Sequence, residues 1–252
     1  MRIALLADIH GNLVALDAAL ADLAGRGVDQ IICLGDLAMS GPQPHECVTR
    51  VAALGCPTVL GNCDEFVLRL RQEGRAPDLM RTYARRGAWV AEIDIWSAEA
   101  LHAEDAAYLA ALPLTVSIPL APDVTLLCAH GSPQSFNHRL LPETPEETVV
   151  TLIGPTEATA LASGHTHVPM LRRVGPLTIV NPGSVGLPVE VGSDGAITNP
   201  ADYAEYGIVE WASDGLTWEP RRVALDAEAV RAAARESGMP FADRWRGDWS
   251  RP

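Results

Sequence analysis

Lysine is absent from this chain of 252 residues: all 19 basic residues are arginines, a bias of composition rather than a pointer to chemistry. Positive charge is scarce as well. With 32 acidic residues the formal charge is −13, which argues against long nucleic acid as the main partner, because polyanion binding draws on basic contacts that displace counterions. Cysteine is sparse and unpatterned. The five (Cys33, Cys47, Cys56, Cys63, Cys128) are odd in number and form no CxxC pair, so neither a disulfide framework nor a zinc ribbon is indicated and reduced thiols are expected. No apolar run approaches the roughly 20 residues that a membrane-spanning helix needs. The opening run Met1 to Asp8 is too short for a secretory signal, so cytoplasmic residence is expected. Internal repeats and low-complexity segments are absent too.

What is present is a substantial apolar fraction, 48%, in a length that suits one large α/β domain over residues 1–252. Ile3 to Ala7 is a short apolar run ending at Asp8, and residues 13–23 carry apolar residues at helical spacing, so strand, loop and helix are predicted. Gln30 to Leu34 repeats the pattern and ends at Gly35-Asp36. Cys56 to Leu60 ends at Gly61-Asn62, and Val124 to Ala129 at His130-Gly131. Residues 65–112 differ, with helical periodicity and no comparable strand; they are read as a helical insertion, either a cap over the site or a thickening of the domain. Beyond Gly164-His165-Thr166-His167, apolar runs at 170–174, 177–180, 207–211 and 217–224 separated by turn residues predict antiparallel hairpins. Asp226 caps a last amphipathic helix through about Glu236.

Polar residues thus recur where predicted strands end, the place where open α/β sheets collect ligands. Asp8 and His10 alternate along an extended or loop segment and share one side. Asp36 adds a second carboxylate, able to bridge two cations through its two oxygens, and Asn62 adds a neutral carbonyl oxygen. His130, His165 and His167 supply imidazoles. None of these pieces is specific alone; in order, each after a strand, they point to a centre for borderline divalent metals.

The set resembles the calcineurin-like metallophosphoesterases, whose signature runs DxH, GD, GN, HG and GHTH, matched here by Asp8/His10, Gly35-Asp36, Gly61-Asn62, His130-Gly131 and Gly164 to His167. Asn12 and the segment Asn181 to Gly186 are similar to the compact bacterial and archaeal phosphodiesterase branch. The resemblance implies a four-layered α/β sandwich of two mixed sheets flanked by helices. It also implies that Asp8, His10 and His167 hold one metal, that Asn62, His130 and His165 hold the other, and that Asp36 bridges both. Two such metals can share a hydroxide, bring its pKa towards neutrality and neutralise phosphoryl oxygens during in-line attack. Mn, Fe, Zn, Ni and Co all suit the mixed N/O set, with Mn favoured. The implied partner is a small phosphorylated substrate, since bound cations reverse the local sign of an acidic pocket. The leading expectation is hydrolysis of phosphodiesters or dinucleoside polyphosphates. The alternatives are a phosphomonoesterase, a nuclease, or a non-catalytic metal-binding scaffold such as the retromer subunit of this fold; the last is disfavoured because all seven ligand positions are filled.

One departure stands out. Many relatives carry His after the GN pair, where it aids phosphoryl stabilisation or leaving-group protonation, and this chain has Cys63. That suggests a substrate with a good leaving group, which needs less acid help. Asp64 beside it, with Asn62, is a candidate for a catalytic role, against the alternative of a helix cap. His138 and Arg139 are candidates for phosphate contact, His138 also for a third metal, against a surface loop. His45 and His102 are assigned to polar surface. Tyr83, Trp89 and Trp96 would either stack on an adenine or aryl group or fill the core.

Overall fold

In the computed structural model, which describes residues 1–75, 88–191, 197–200, 202–213 and 215–245, the chain opens with β1 (Arg2–Leu6), α1 (Leu13–Leu23), β2 (Gln30–Cys33) and α2 (Pro44–Leu54). Three helices follow: α3 (Asn62–Glu73), α4 (Ala88–Ala100) and α5 (Ala103–Ala110). Then come β3 (Thr115–Ala121), β4 (Val124–Ala129), α6 (Glu146–Ile153), β5 (Ala160–Ser163), β6 (Met170–Val174) and β7 (Leu177–Asn181). The short strands β8 (Glu190–Val191) and β9 (Ile197–Thr198) precede the long hairpin β10 (Tyr203–Ala212) and β11 (Gly215–Ala224), and α7 (Ala227–Glu236) closes the series.

Two mixed sheets result, ordered β11-β10-β1-β2 and β3-β4-β5-β7-β6. Alternation along β1 explains their placement, since successive side chains of a strand point to opposite faces. Ile3 and Leu5 pack with Ile32, Leu126, Ala160 and Val180 in the layer between the sheets. Ala4 and Leu6 pack on the other face with Leu16, Val48, Phe66 and Leu109 from the helices. On the far side, Val149 and Ile153 of α6 meet Leu161 and Ile179 of the second sheet. Helices, sheet, sheet and helix form the four layers, as the resemblance implied.

Two local expectations change. The apolar run at 56–60 forms only one bridge, Thr58 to Cys33; Pro57 lacks an N–H, and the Leu60 N–H turns away to the Pro113 carbonyl, so no ladder develops. Strands β3 and β5 were not foreseen; β3 lies at a sheet edge, where Pro119 and a register shift after it are tolerated. The tail after α7 is docked as far as Trp245, which is wholly buried and donates its indole N–H to the Ser40 carbonyl at 2.7 Å. Asp226 caps α7 as predicted, accepting from the N–H groups of Glu228 and Ala229.

Candidate metal centre

Asp8 follows β1, Asp36 follows β2, His130 follows β4 and His165 follows β5, so four strand ends deliver side chains to one rim of the sandwich. The loops after β1 and β2 stay paired beyond the strands: the N–H groups of Asp8, His10 and Gly11 donate to the carbonyls of Gly35, Asp36 and Leu37 at 2.8–3.0 Å. Behind them the Gly186 N–H donates to the Asp8 carbonyl, and Asn12 donates its amide to the Gly186 carbonyl. Asn181 holds the next loop through the Gly164 carbonyl and the Thr166 hydroxyl. Asn12 and the 181–186 segment therefore serve as a brace under the site.

The backbone is bent to aim these groups. Asp8, His10, Asp36, His165 and His167 all take positive φ, between 50° and 68°, a region that costs non-glycine residues on the order of 1–3 kcal/mol each. Glycine is required at Gly61, where a Cβ would collide with the Asp36 carboxylate and backbone nitrogen.

Two groups of ligand atoms converge. Among the described residues, donor atoms of Asp8, His10 and His167 lie within 4.8 Å of one another, as do those of Asp36, His130 and His165. Asp36 Oδ2 lies between the groups, 3.4 Å from His130 Nε2 and 3.7 Å from His10 Nε2. The Cys63 N–H occupies Asp36 Oδ1 at 2.8 Å. Asn62 Oδ1 stands 2.8 Å from His130 Nε2.

The tautomers decide what these atoms are suited for. His10, His130 and His167 each direct Nδ1 at a backbone carbonyl, of Met39, Leu34 and Leu187, at 2.6–2.9 Å. A carbonyl only accepts, so each Nδ1 carries a proton, and Nε2 is the ring atom left for the site, bare whenever the ring is neutral. His10 Nε2 and His167 Nε2 face each other at 3.1 Å, His167 Nε2 also stands 3.3 Å from Asp8 Oδ1, and His130 Nε2 faces the Asn62 carbonyl oxygen. Asp8 Oδ1 is buried with no hydrogen-bond partner. Acceptors converging in this way call for positive charge among them, supplied by a ring proton or by a cation, and the donor set suits borderline divalent cations.

Electrostatics agree. Burial alone would raise Asp36, but the His130 charge and hydrogen bond, with His10 and the Cys63 N–H, outweigh it and hold the carboxyl well below the usual range. Asp8 is likewise lowered, by His167 against its burial. Burial, aided by a neighbouring imidazole, depresses His10 and His165 to about 4, so both are neutral. Burial opposes, and Asp36 overrides it, in lifting His130 to about 9, and Asp8 likewise raises His167; a bound cation would take the place of these ring protons on Nε2.

A cavity of about 290 Å³ opens over these residues. His10, Asp36, Asn62, Cys63, His165 and His167 form its floor, while Val90 of α4, Leu187 and Val189 form an apolar wall with Ser40 and Asn199 beside it.

Comparison with known proteins places this architecture. Residues 1–199 match the calcineurin-like phosphoesterase superfamily domain. The chain belongs to that superfamily. This metallophosphoesterase resembles the crystal structure of a metallophosphoesterase from Sphaerobacter thermophilus, with 29% identity, a TM-score of 0.72 and coverage of 99% of this chain and 98% of that one. A hypothetical protein of Pyrococcus horikoshii has the same fold at 21% identity and a TM-score of 0.77, covering 95% and 94% of the two chains. An uncharacterized protein of Methanocaldococcus jannaschii is 28% identical over 203 residues, 74% of this chain and 76% of its own length.

The remaining candidates of this metallophosphoesterase lie away from the convergence. Asp64 is wholly buried beneath it and accepts the N–H groups of Asp36, Leu37 and Gly61, so it shapes the loop rather than facing the cavity. Burial and the Asp36 charge raise it to about 7. His138 points Nδ1 at the Ser132 hydroxyl and the Leu152 carbonyl, and Arg139 is exposed; neither lines the cavity. Trp89 and Trp96 pack with Val230, Met239 and Trp245, which makes them core. Tyr83 lies outside the described residues. Sequence reasoning missed Ser40, Val90, Leu187 and Asn199. They carry no chemical signature, and only the fold brings them to the cavity.

Proposed function

We propose that the chain hydrolyses small phosphodiesters at a dinuclear centre. In this reading Asp8, His10 and His167 would hold one divalent cation, Asn62, His130 and His165 would hold the second, and Asp36 would serve both. The observation that carries it is the position of Asp36 Oδ2 between His130 Nε2 and His10 Nε2, with Nδ1 of both rings and of His167 turned away to backbone carbonyls. Mn is the favoured cation. When bound, two such cations supply Lewis-acid polarisation of the phosphoryl oxygens and activate water.

The chain's own residues do the rest. Carbonyls of Met39, Leu34 and Leu187 fix the imidazole rotation, so the ligand atoms are aimed before substrate arrives. Cys63 contributes its backbone N–H to Asp36 and lines the cavity floor without an imidazole's proton. A leaving group that departs without acid help is therefore favoured. The apolar wall of Val90, Leu187 and Val189 suits an aryl or nucleobase substituent, and a 290 Å³ cavity favours one such substituent over a whole dinucleoside polyphosphate. Helix α4 thus acts as a partial cap over the site. Five free thiols suit a reducing cytoplasm.

Metal-depleted protein reloaded with Mn is expected to hydrolyse aryl phosphodiesters or cyclic nucleotides in preference to dinucleoside polyphosphates, and Asp36→Asn is expected to abolish turnover while the fold persists by circular dichroism. Inactivity across a panel of these compounds with Mn, Fe, Zn, Ni and Co would sink this reading.

A further inference from the structure

A second convergence of ligand atoms lies at the seam between α2 and α5, sharing no residue with the strand-end clusters. His45 is the second residue of α2, His102 is the N-cap of α5, and Asp105 stands in its first turn. Ligand atoms of the three lie within 4.8 Å of one another. His45 Nδ1 is 2.7 Å from Asp105 Oδ2, and the two imidazoles stack with centroids 3.8 Å apart and planes tilted by 33°.

We propose that His45, His102 and Asp105 form a separate divalent-cation site that ties α2 to α5. Two imidazoles and one carboxylate form a borderline donor set that suits Zn²⁺ and its neighbours better than Mg²⁺ or Ca²⁺. The burial is graded as a surface metal site requires. The Asp105 side chain is only 2% exposed and is fixed by accepting the His102 N–H at 2.8 Å. The imidazoles of His45 and His102 are 31% and 57% exposed, so a cation can enter and keep a water. Tetrahedral zinc ligands stand about 3.3 Å apart, which follows from zinc–ligand bonds near 2 Å. Replacing the proton between His45 and Asp105 thus needs an opening of about half an ångström, well within reach of a partly exposed ring. The adjoining cavity, lined by both histidines, also presents Glu46 and Glu236, and His102 Nδ1 lies 3.7 Å from Glu104. The surroundings are therefore negative.

Equilibrium dialysis of the full chain against Zn²⁺ tests this. His45→Gln and His102→Gln are each expected to bind one equivalent less than the wild type at saturation. Phosphoester hydrolysis is expected to stay within twofold, and the Zn²⁺-induced rise in Tm is expected to shrink in both. His102 is the more exposed, so its variant keeps the test sound if His45→Gln folds poorly. A Zn²⁺ count that His102→Gln leaves at the wild-type value overturns the proposal. The readout is a difference between chains with the same strand-end residues. Absence of hydrolysis in all three would therefore count against the phosphodiesterase reading and leave this one standing or falling on the metal count.

Discussion

Asp64 Oδ2 accepts the backbone N–H of Asp36 at 2.8 Å, while its other oxygen accepts that of Leu37 at the same distance. One buried carboxylate thereby clamps the loop that carries the proposed bridging residue. Asp64→Asn replaces an acceptor oxygen with an NH₂ donor facing an N–H. A loss of about 2–3 kcal/mol in urea-unfolding stability is expected, since buried donors are left unsatisfied. Metal affinity is expected to fall about 10–100-fold, the usual effect of disturbing groups that orient ligands. Full stability with weakened turnover would instead mark Asp64 as acting directly on substrate.

Gly61→Ala should be far worse than a glycine-to-alanine change elsewhere. The added Cβ meets the Asp36 carboxylate and backbone, and the loop must shift. We expect a loss of at least about 3 kcal/mol together with loss of bound Mn. Gly25→Ala, where the added Cβ meets nothing within 4 Å, is the control and should unfold at the wild-type denaturant midpoint.

The apolar wall gives a kinetic prediction. Val90→Ala removes two methyl groups from one side of the cavity, worth about 1–2 kcal/mol of apolar burial if the substituent rests there. KM for an aryl phosphodiester should rise about 5–30-fold with kcat little changed, whereas hydrolysis of a methyl diester should be indifferent. Equal effects on both substrates would remove the wall from the binding site.

Acid sensitivity should involve Asp22. Its carboxylate is lowered to about 2 by its hydrogen bond with Arg26, then by Tyr206 and Arg221, against a modest burial effect. A depressed carboxyl contributes stability that is present above its unfolded pKa, 3.8, and lost as pH falls through about 2. Solvent screening at this partly exposed network holds the contribution to about 1 kcal/mol. Asp22→Asn should therefore be less stable than the wild type at pH 6, and urea midpoints of the two should converge as pH falls from about 4 to 2. A gap that persists at pH 2 would assign the effect to packing.

Much of this was legible because ligands sit on the sheets' strand ends, where a short continuous apolar run stops at a polar residue. Asp8, Asp36 and His130 announce themselves that way. Strands β3 and β5 did not, since Pro119 breaks the edge strand's signal and four residues of Ala160–Ser163 carry too little pattern to register. The carbonyls of Met39, Leu34 and Leu187 that fix the imidazoles are backbone groups and leave no trace in side-chain identity. Asp64 was read beside its sequence neighbour Cys63, yet its partners lie across the fold at Asp36 and Leu37. His138 and Arg139 were singled out for type and proximity in the chain, and the turn at 132–138 directs His138 to Ser132 and Leu152 instead.

Strand β1 lies between β2, its near neighbour in the chain, and β10, which pairs with it residue for residue from Arg2–Glu210 to Leu5–Gly207. During synthesis on the ribosome, β1 can find β2 almost at once but must wait for about 180 further residues before its other edge is covered. Until then the strand leading to Asp8 has one open side, and the brace at Ser184 and Gly186 is missing for nearly as long. Assembly of the centre is thus a late event despite its first residue being the eighth made. A chain cut at residue 199, where the superfamily match ends, would carry all seven proposed ligands and leave that edge bare.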